Sequence, residues 1–169
     1  MKIVLVVIAV VLVVLGGYSV WALTHPTTLR TEIEIAASPD TVWDVLADRD
    51  AYAEWNPFIL SSTGDLVVGR RIANVLKDGA GKESTFEPEL LVVEPGRELR
   101  WIGKVGFGGI FDGEHAFRIE PAGPGRVRFI QEERFRGVAV PVMRGWLNDK
   151  IKPQFDAMNT ALATRVQSR

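Results

Sequence analysis

At 169 residues, with a net charge of −1, two histidines and no cysteine, the chain is long enough for one domain and a short appendage. Acids and bases are interspersed, which leaves no electrostatic footprint for nucleic acid. The lack of cysteine excludes disulfides, thiolate metal sites and a cysteine nucleophile, and two histidines give no basis for a multi-histidine metal centre, so neither a metal nor another cofactor is expected.

No charge interrupts the sequence between Lys2 and Arg30, and Ile3 to Leu15 is apolar throughout. About 20 such residues at 1.5 Å each span roughly 30 Å, the thickness of a bilayer core. Tyr18 and Trp21 fall near the far end, where amphipathic rings favour the head-group level. Residues 1–24 therefore read as a single-pass transmembrane anchor, with a cleaved signal peptide ending near Val20-Trp21-Ala22 as the rival reading. Lys2 and the terminal amine place the amino end in the cytoplasm and the domain outside, on the cell membrane, by the positive-inside bias. Residues 25–29 then form a polar tether containing Pro26, and residues 30–169 the folded domain.

Leu29 to Ala36 alternates, with Ile33 and Ile35 opposite Glu32 and Glu34, which predicts a first strand. Ser38-Pro39-Asp40 starts a helix: Ser at the N-cap, Pro at the first helical position, Asp at the positive dipole end. Val42, Trp43, Val45 and Leu46 supply its buried stripe, and a second short helix over 50–55 stops at Asn56-Pro57. Strands are predicted over 58–62, 70–77, 83–93 and 98–105, separated by turns at Gly64-Asp65, Asp78-Gly79-Ala80-Gly81 and Glu94-Pro95-Gly96. Gly79-Ala80-Gly81-Lys82 lacks the first glycine and the Ser or Thr of a phosphate loop. Gly106-Phe107-Gly108-Gly109 leads into a strand, so it is no dinucleotide fingerprint. Glycines 103, 106, 108, 109 and 113 are expected chiefly to relieve strain where a curved sheet bends, the other reading being a mobile lip.

The central stretch runs from Phe111 to Arg136, two strands joined by Pro121-Ala122-Gly123-Pro124-Gly125. Alternation puts Phe111, Gly113, His115, Phe117 and Ile119 on one face, with Val127, Phe129, Gln131, Glu133 and Phe135 on the matching face of the return strand. An apolar face that also carries His115, Gln131 and Glu133 reads as the wall of a cavity holding a few polar groups. One register sets His115 opposite Glu133 and also opposes Glu114 to Arg134, Glu120 to Arg128 and Asp112 to Arg136; these charge pairs select it. The outer arginines alternate with acids and read as a solvated surface. Beyond Val138, the residues Met143, Leu147, Ile151, Phe155, Met158, Leu162 and Val166 recur every three or four positions, a helix of about six turns. Pro153 would displace the carbonyl of Asp149, which predicts a kink or a break into two helices.

This order resembles the helix-grip fold. Ile-Ala-Ala-Ser-Pro-Asp-Thr-Val-Trp-Asp-Val-Leu-Ala-Asp (35–48) and Tyr-Ala-Glu-Trp-Asn-Pro-Phe (52–58) resemble the opening of START-like (SRPBCC) proteins. Gly-Glu-His-Ala-Phe-Arg-Ile-Glu-Pro (113–121) and Glu-Arg-Phe-Arg-Gly (133–137) are similar to the polyketide cyclase/dehydrase-like branch of that superfamily. The resemblance implies an α+β fold in the order strand, two helices, six strands, helix, with a curved antiparallel sheet around the long C-terminal helix and an apolar cavity between them. It implies no particular activity, because members include lipid carriers, hormone receptors, aromatase/cyclases and oxygenase subunits.

Two functions follow. In the first, the domain is a membrane-tethered binder or carrier of an apolar small molecule, a lipid being the expected ligand. Trp55, Trp101, Phe111, Phe117, Phe129, Trp146 and Phe155 then line the cavity, and His115, Gln131 and Glu133 meet the polar end. In the second, a cyclase or dehydratase uses His115 as acid/base with Glu133 behind it. Mutual satisfaction of the two side chains inside the sheet explains the pair as well, since an unpaired buried polar group costs about 1–3 kcal/mol. No oligomeric state is implied.

Overall fold

A computed structural model of the chain describes residues 1–77 and 81–168. An apolar helix α1 (Lys2–Thr24) leads directly into strand β1 (Thr27–Ile35), so the first strand starts earlier than the alternation indicated. Helix α2 (Pro39–Ala47) begins as its sequence dictates: Ser38 Oγ accepts from the Thr41 amide at 3.1 Å and Pro39 occupies the first turn. A short 3₁₀ turn (Arg49–Ala51) and α3 (Tyr52–Trp55) follow, the latter closed by Asn56, whose Oδ1 accepts from the Phe58 and Ile59 amides at 2.9 Å.

Seven strands come next: β2 (Ile59–Thr63), β3 (Ala73–Lys77), β4 (Glu83–Phe86), β5 (Glu89–Glu94), β6 (Glu98–Val105), β7 (Phe111–Pro121) and β8 (Val127–Arg136). The expected count was six. The stretch 83–93 divides because Pro88 cannot donate to a ladder and the chain turns a corner there. The segment expected to form the start of one strand at Arg70 instead crosses to β5, with Leu90 N donating to Arg70 O and Ile72 N to Pro88 O. The turn expected over 78–81 lies, apart from Gly81, outside the described residues.

The strands form a five-stranded sheet, β1-β8-β7-β6-β5, and a three-stranded sheet, β2-β3-β4, all antiparallel and joined by the Arg71–Glu89 bridge. Together they make the curved grip of the helix-grip fold. The β7–β8 register is the one the charges selected: His115 opposes Glu133, Glu114 opposes Arg134, and Asp112 opposes Arg136. The outer-face ion pairs themselves form with other partners, Glu114 with Arg100 of β6, Arg118 with Glu132 of β8, and Arg128 with Glu32 and Glu34 of β1.

The C-terminal segment divides where Pro153 was expected to disturb it. Helix α4 (Val140–Trp146) passes into a π-helical turn (Leu147–Ile151) and then α5 (Lys152–Gln167). Pro153 has no amide to offer the carbonyl one turn back and its ring crowds that carbonyl, so the turn before it widens. Phe155, Met158, Leu162 and Val166 of α5 are buried against β1, α2 and the sheet, as the apolar stripe required.

Tyr52 lies beneath the α2–α3 corner and donates to Leu46 O at 2.6 Å. Its burial pushes the phenol well above its usual value near 10. The fold holds this proton, so the associated stability is full below pH ~10 and falls as pH rises beyond the unfolded value. Urea midpoints measured between about pH 8 and 11 should show that decline. Tyr52→Phe should remove this part of the slope while costing about 1 kcal/mol at neutral pH for the lost hydrogen bond.

Candidate functional site

Between the open end of the sheets and the α4–α5 segment lies a half-open pocket of about 370 Å³. The β2–β4 side contributes Phe58, Leu76, Ser84, Thr85 and Phe86; β6–β8 contribute Gly103, Val105, Phe111, Gly113, Glu133 and Phe135; Trp146, Leu147 and Ile151 close the helical side. Ser84 and Thr85 are exposed at the rim, and Glu133 is the one charged side chain among the described residues of the lining.

Two glycines make room for side chains of its wall. Gly103 and Gly113 face each other across β6 and β7. A Cβ on Gly103 would fall inside the Phe86 ring, and one on Gly113 would strike Oε1 of Glu133. The glycines near Phe107 serve two ends: Gly106 and Gly109 adopt positive φ in a turn, whereas Gly103 and Gly113 leave room for neighbouring side chains, which neither expected role included. Gly103→Ala should therefore evict the Phe86 ring and open the β4 wall, at about 1–3 kcal/mol. A thermal-melt double-mutant cycle with Phe86→Ala should show that the alanine costs much less once the ring is gone.

Behind the lining, polar groups continue into the core. Glu133 Oε2 accepts from His115 Nδ1 at 3.2 Å, and Gln131 Nε2 lies 3.2 Å from His115 Nε2. The carboxylate only accepts, so the imidazole proton sits on Nδ1, and Nε2 is left to accept from the Gln131 amide. His115 is 3% exposed. Its ring stacks on Trp101 at 4.8 Å and meets Phe117 and Phe155 edge-on at 4.7 and 5.0 Å. Beside Gln131 across β1–β8 stands Thr31, which accepts from Asn159 Nδ2 at 2.8 Å. Gln131 Oε1 and Asn159 Oδ1 are buried without a hydrogen-bond partner among the described residues.

Thus the expected residues fall into two layers. Phe111, Trp146 and Glu133 line the pocket. Trp101, His115, Phe117, Phe129, Gln131 and Phe155 are buried behind it, where rings pack on one another: Phe117 stacks on Phe129 at 5.6 Å. Trp55 sits apart from both, edge-on to Tyr52 at 5.2 Å. The alternation makes the sheet's inner face one continuous cavity wall, whereas buried side chains fill one part of it and the pocket occupies the other. Phe58, Leu76, Phe86, Phe135, Leu147 and Ile151 were missed as lining, as was the Thr31–Asn159 pair. Small residues on adjacent inward positions, and an asparagine inside the apolar stripe of α5, were the available signals.

Chemically, a carboxylate at the wall with an imidazole directly behind it can accept a hydrogen bond from a bound molecule or move a proton to and from it. Among the described residues, no three His, Asp or Glu side chains converge to hold a metal ion.

The family model described as polyketide cyclase / dehydrase and lipid transport matches residues 26–167. No curated protein matches the sequence. Among solved structures, the Zhui aromatase/cyclase of a Streptomyces species is similar with a TM-score of 0.69 at 19% identity, over 86% of this chain and 96% of that one. Norcoclaurine synthase from Thalictrum flavum, in complex with dopamine and hydroxybenzaldehyde, gives 0.67 at 14% identity over 86% and 88%. A START superfamily protein from Mycobacterium smegmatis gives 0.61 at 19% identity over 83% and 97%. At such identities these likenesses establish the fold.

Proposed function

Because the chain belongs to the polyketide cyclase/dehydrase and lipid transport family, we propose that its domain binds a small apolar molecule in the pocket at the open end of the grip, held at a membrane by α1. The observation that carries this reading is an apolar lining with one carboxylate, Glu133, set into it. Burying a carboxylate under a ligand is costly unless the ligand supplies a donor, so the ligand's polar end is a hydroxyl or an amine and not a carboxylate or phosphate. Size restricts it further. At about 20–30 Å³ per heavy atom, 370 Å³ holds roughly 12–18 atoms, which fits one ring system or a short single chain and excludes a two-chain lipid. Helix α1 has 23 residues and is apolar and long enough to cross a bilayer, at about 34 Å.

Native mass spectrometry of the full chain released from detergent tests the reading. A bound small molecule is expected, lost in Leu76→Trp, which fills the pocket, and weakened at least about tenfold in Glu133→Ala, the loss of one charged hydrogen bond. Repeated absence of any adduct from a folded protein counts against it.

The position of His115 behind Glu133 favours a second reading, a dehydratase, or a cyclase whose ring closure expels water, in which Glu133 exchanges the proton with the bound molecule and His115 orients it. In that case Glu133→Gln should retain a bound species heavier by one water than that in the unaltered protein. The same species in both leaves binding alone.

A further inference from the structure

From the way α1 docks on the domain, we infer that the pocket mouth lies against the bilayer surface, with Phe107 and Val142 inserted at head-group depth. The inference rests on the reading of α1 as a membrane span. The helix does not leave the domain on a loose tether. Tyr18 Oη donates to Val138 O at 2.8 Å, Ala22 is fully buried, and Leu23 packs over Gly109. The two segments it touches are held together, with Val138 N donating to Gly109 O and Ala139 N to Ile110 O, each at 3.0 Å.

Those segments carry the exposed apolar surface. Outside α1, the large apolar side chains left exposed among the described residues are Val67 and Val68 in one loop, and otherwise Val105, Phe107, Ile110, Val142 and Trp146. Phe107 is 86% exposed and Val142 82%. Val142 and Trp146 stand one turn apart on the same face of α4. An apolar group of this kind beside a span has an occupant at hand.

The span also fixes the depth. Aromatic rings at a helix end favour the head-group level, and Tyr18 and Trp21 are those rings. Tyr18 is bonded to Val138, so that level coincides with the start of α4 and with the turn that carries Phe107. Lys104 and Arg144 are exposed nearby, and their long stems can lie along the apolar surface while their charges reach phosphate. The nearby carboxylate of Asp112 is engaged by the Gly109 amide at 2.8 Å. Val105 and Trp146 belong both to this surface and to the pocket lining, so a molecule dissolved in the bilayer reaches Glu133 without crossing bulk water.

The absence of cysteine makes the test direct. Full-length chains carrying a single cysteine at Phe107, Val142, Leu12 or Glu120 are labelled with an environment-sensitive fluorophore and reconstituted in phosphatidylcholine vesicles containing doxyl-labelled lipid. Labels at positions 107 and 142 should shift to the blue and be quenched roughly twofold or more by shallow doxyl groups, while the label at 120 on the far end of β7 is not. Quenching at 12 with water-like emission at 107 and 142 overturns the inference and leaves the span intact. No quenching at 12 removes the membrane reading, and the inference with it. Blue-shifted but unquenched labels at 107 and 142 mean that a second copy of the chain covers the surface, which also overturns the proposal. None of these outcomes depends on whether the pocket holds a ligand.

Discussion

Gly137→Ala is expected to lower the stability of the domain by about 3–5 kcal/mol. Gly137 links β8 to α4 with φ +135°, a conformation that L side chains rarely adopt, and holding alanine there costs about 1–3 kcal/mol. The new methyl group would also meet the backbone carbonyl of Ile110, which is fixed by its bond from the Ala139 amide and cannot swing aside as a side-chain tip would. That overlap adds about 1–3 kcal/mol. In a domain of this size the melting temperature should fall by roughly 10–15 °C. Gly123→Ala is the control. It has φ +114° but open space around it, so only the conformational cost applies and the fall should be less than half as large. Equal losses at the two positions would show that the Ile110 contact relaxes freely. The junction also carries Val138, the acceptor for Tyr18, so the variant should loosen α1 from the domain as well.

Phe155→Ala should cost a similar 3–5 kcal/mol, for a different reason, and should change what the pocket accepts. The ring is fully buried and lies between Phe58, on the pocket lining, at 5.8 Å, and His115 at 5.0 Å. It is the partition between the pocket and the polar groups behind it. Its removal leaves roughly 100–150 Å³, enough to extend the pocket by about one ring if the neighbours do not collapse. Chemical denaturation gives the stability change, and native mass spectrometry should then detect larger adducts than in the unaltered chain. A stability loss below about 1 kcal/mol, or unchanged adducts with an unchanged pocket in a crystal structure, would show that the site closes over the gap. Phe155→Leu, at about 1–2 kcal/mol, keeps the test available if the alanine variant fails to fold.

How much of this was legible in the sequence depends on range. Local chemistry could be read directly: Ser38-Pro39-Asp40 set the start of α2, and Pro153 set the division of the C-terminal helix. The β7–β8 register was readable because one pairing satisfied both the apolar face and the charges, so His115 and Glu133 could be placed opposite each other. The pocket itself was not readable. Whether an inward residue borders space or packing depends on what comes across from the other sheet and the helix. Phe117 and Phe111 lie on the same face of one strand, yet the first is fully buried among Trp101, His115 and Phe129 while the second stands at the opening. The corner at Pro88 belongs to the same class, since Glu83 to Val93 reads as one apolar-rich strand until it is paired on two sides.

The π turn at Leu147–Ile151 carries a consequence for how this architecture can vary. Five residues per hydrogen-bonded loop, in place of four, put α4 out of phase with α5, and each residue gained or lost there rotates α4 by about 100° about its axis. The anchoring positions Phe155, Met158 and Leu162 lie downstream and keep their seats through such a change. Single-residue insertions and deletions at this point therefore act as an angular dial, turning Val142 and Trp146 away from the entrance and other α4 side chains such as Met143 toward it. Relatives with different appetites could arise from that dial alone, without a substitution anywhere in the interior.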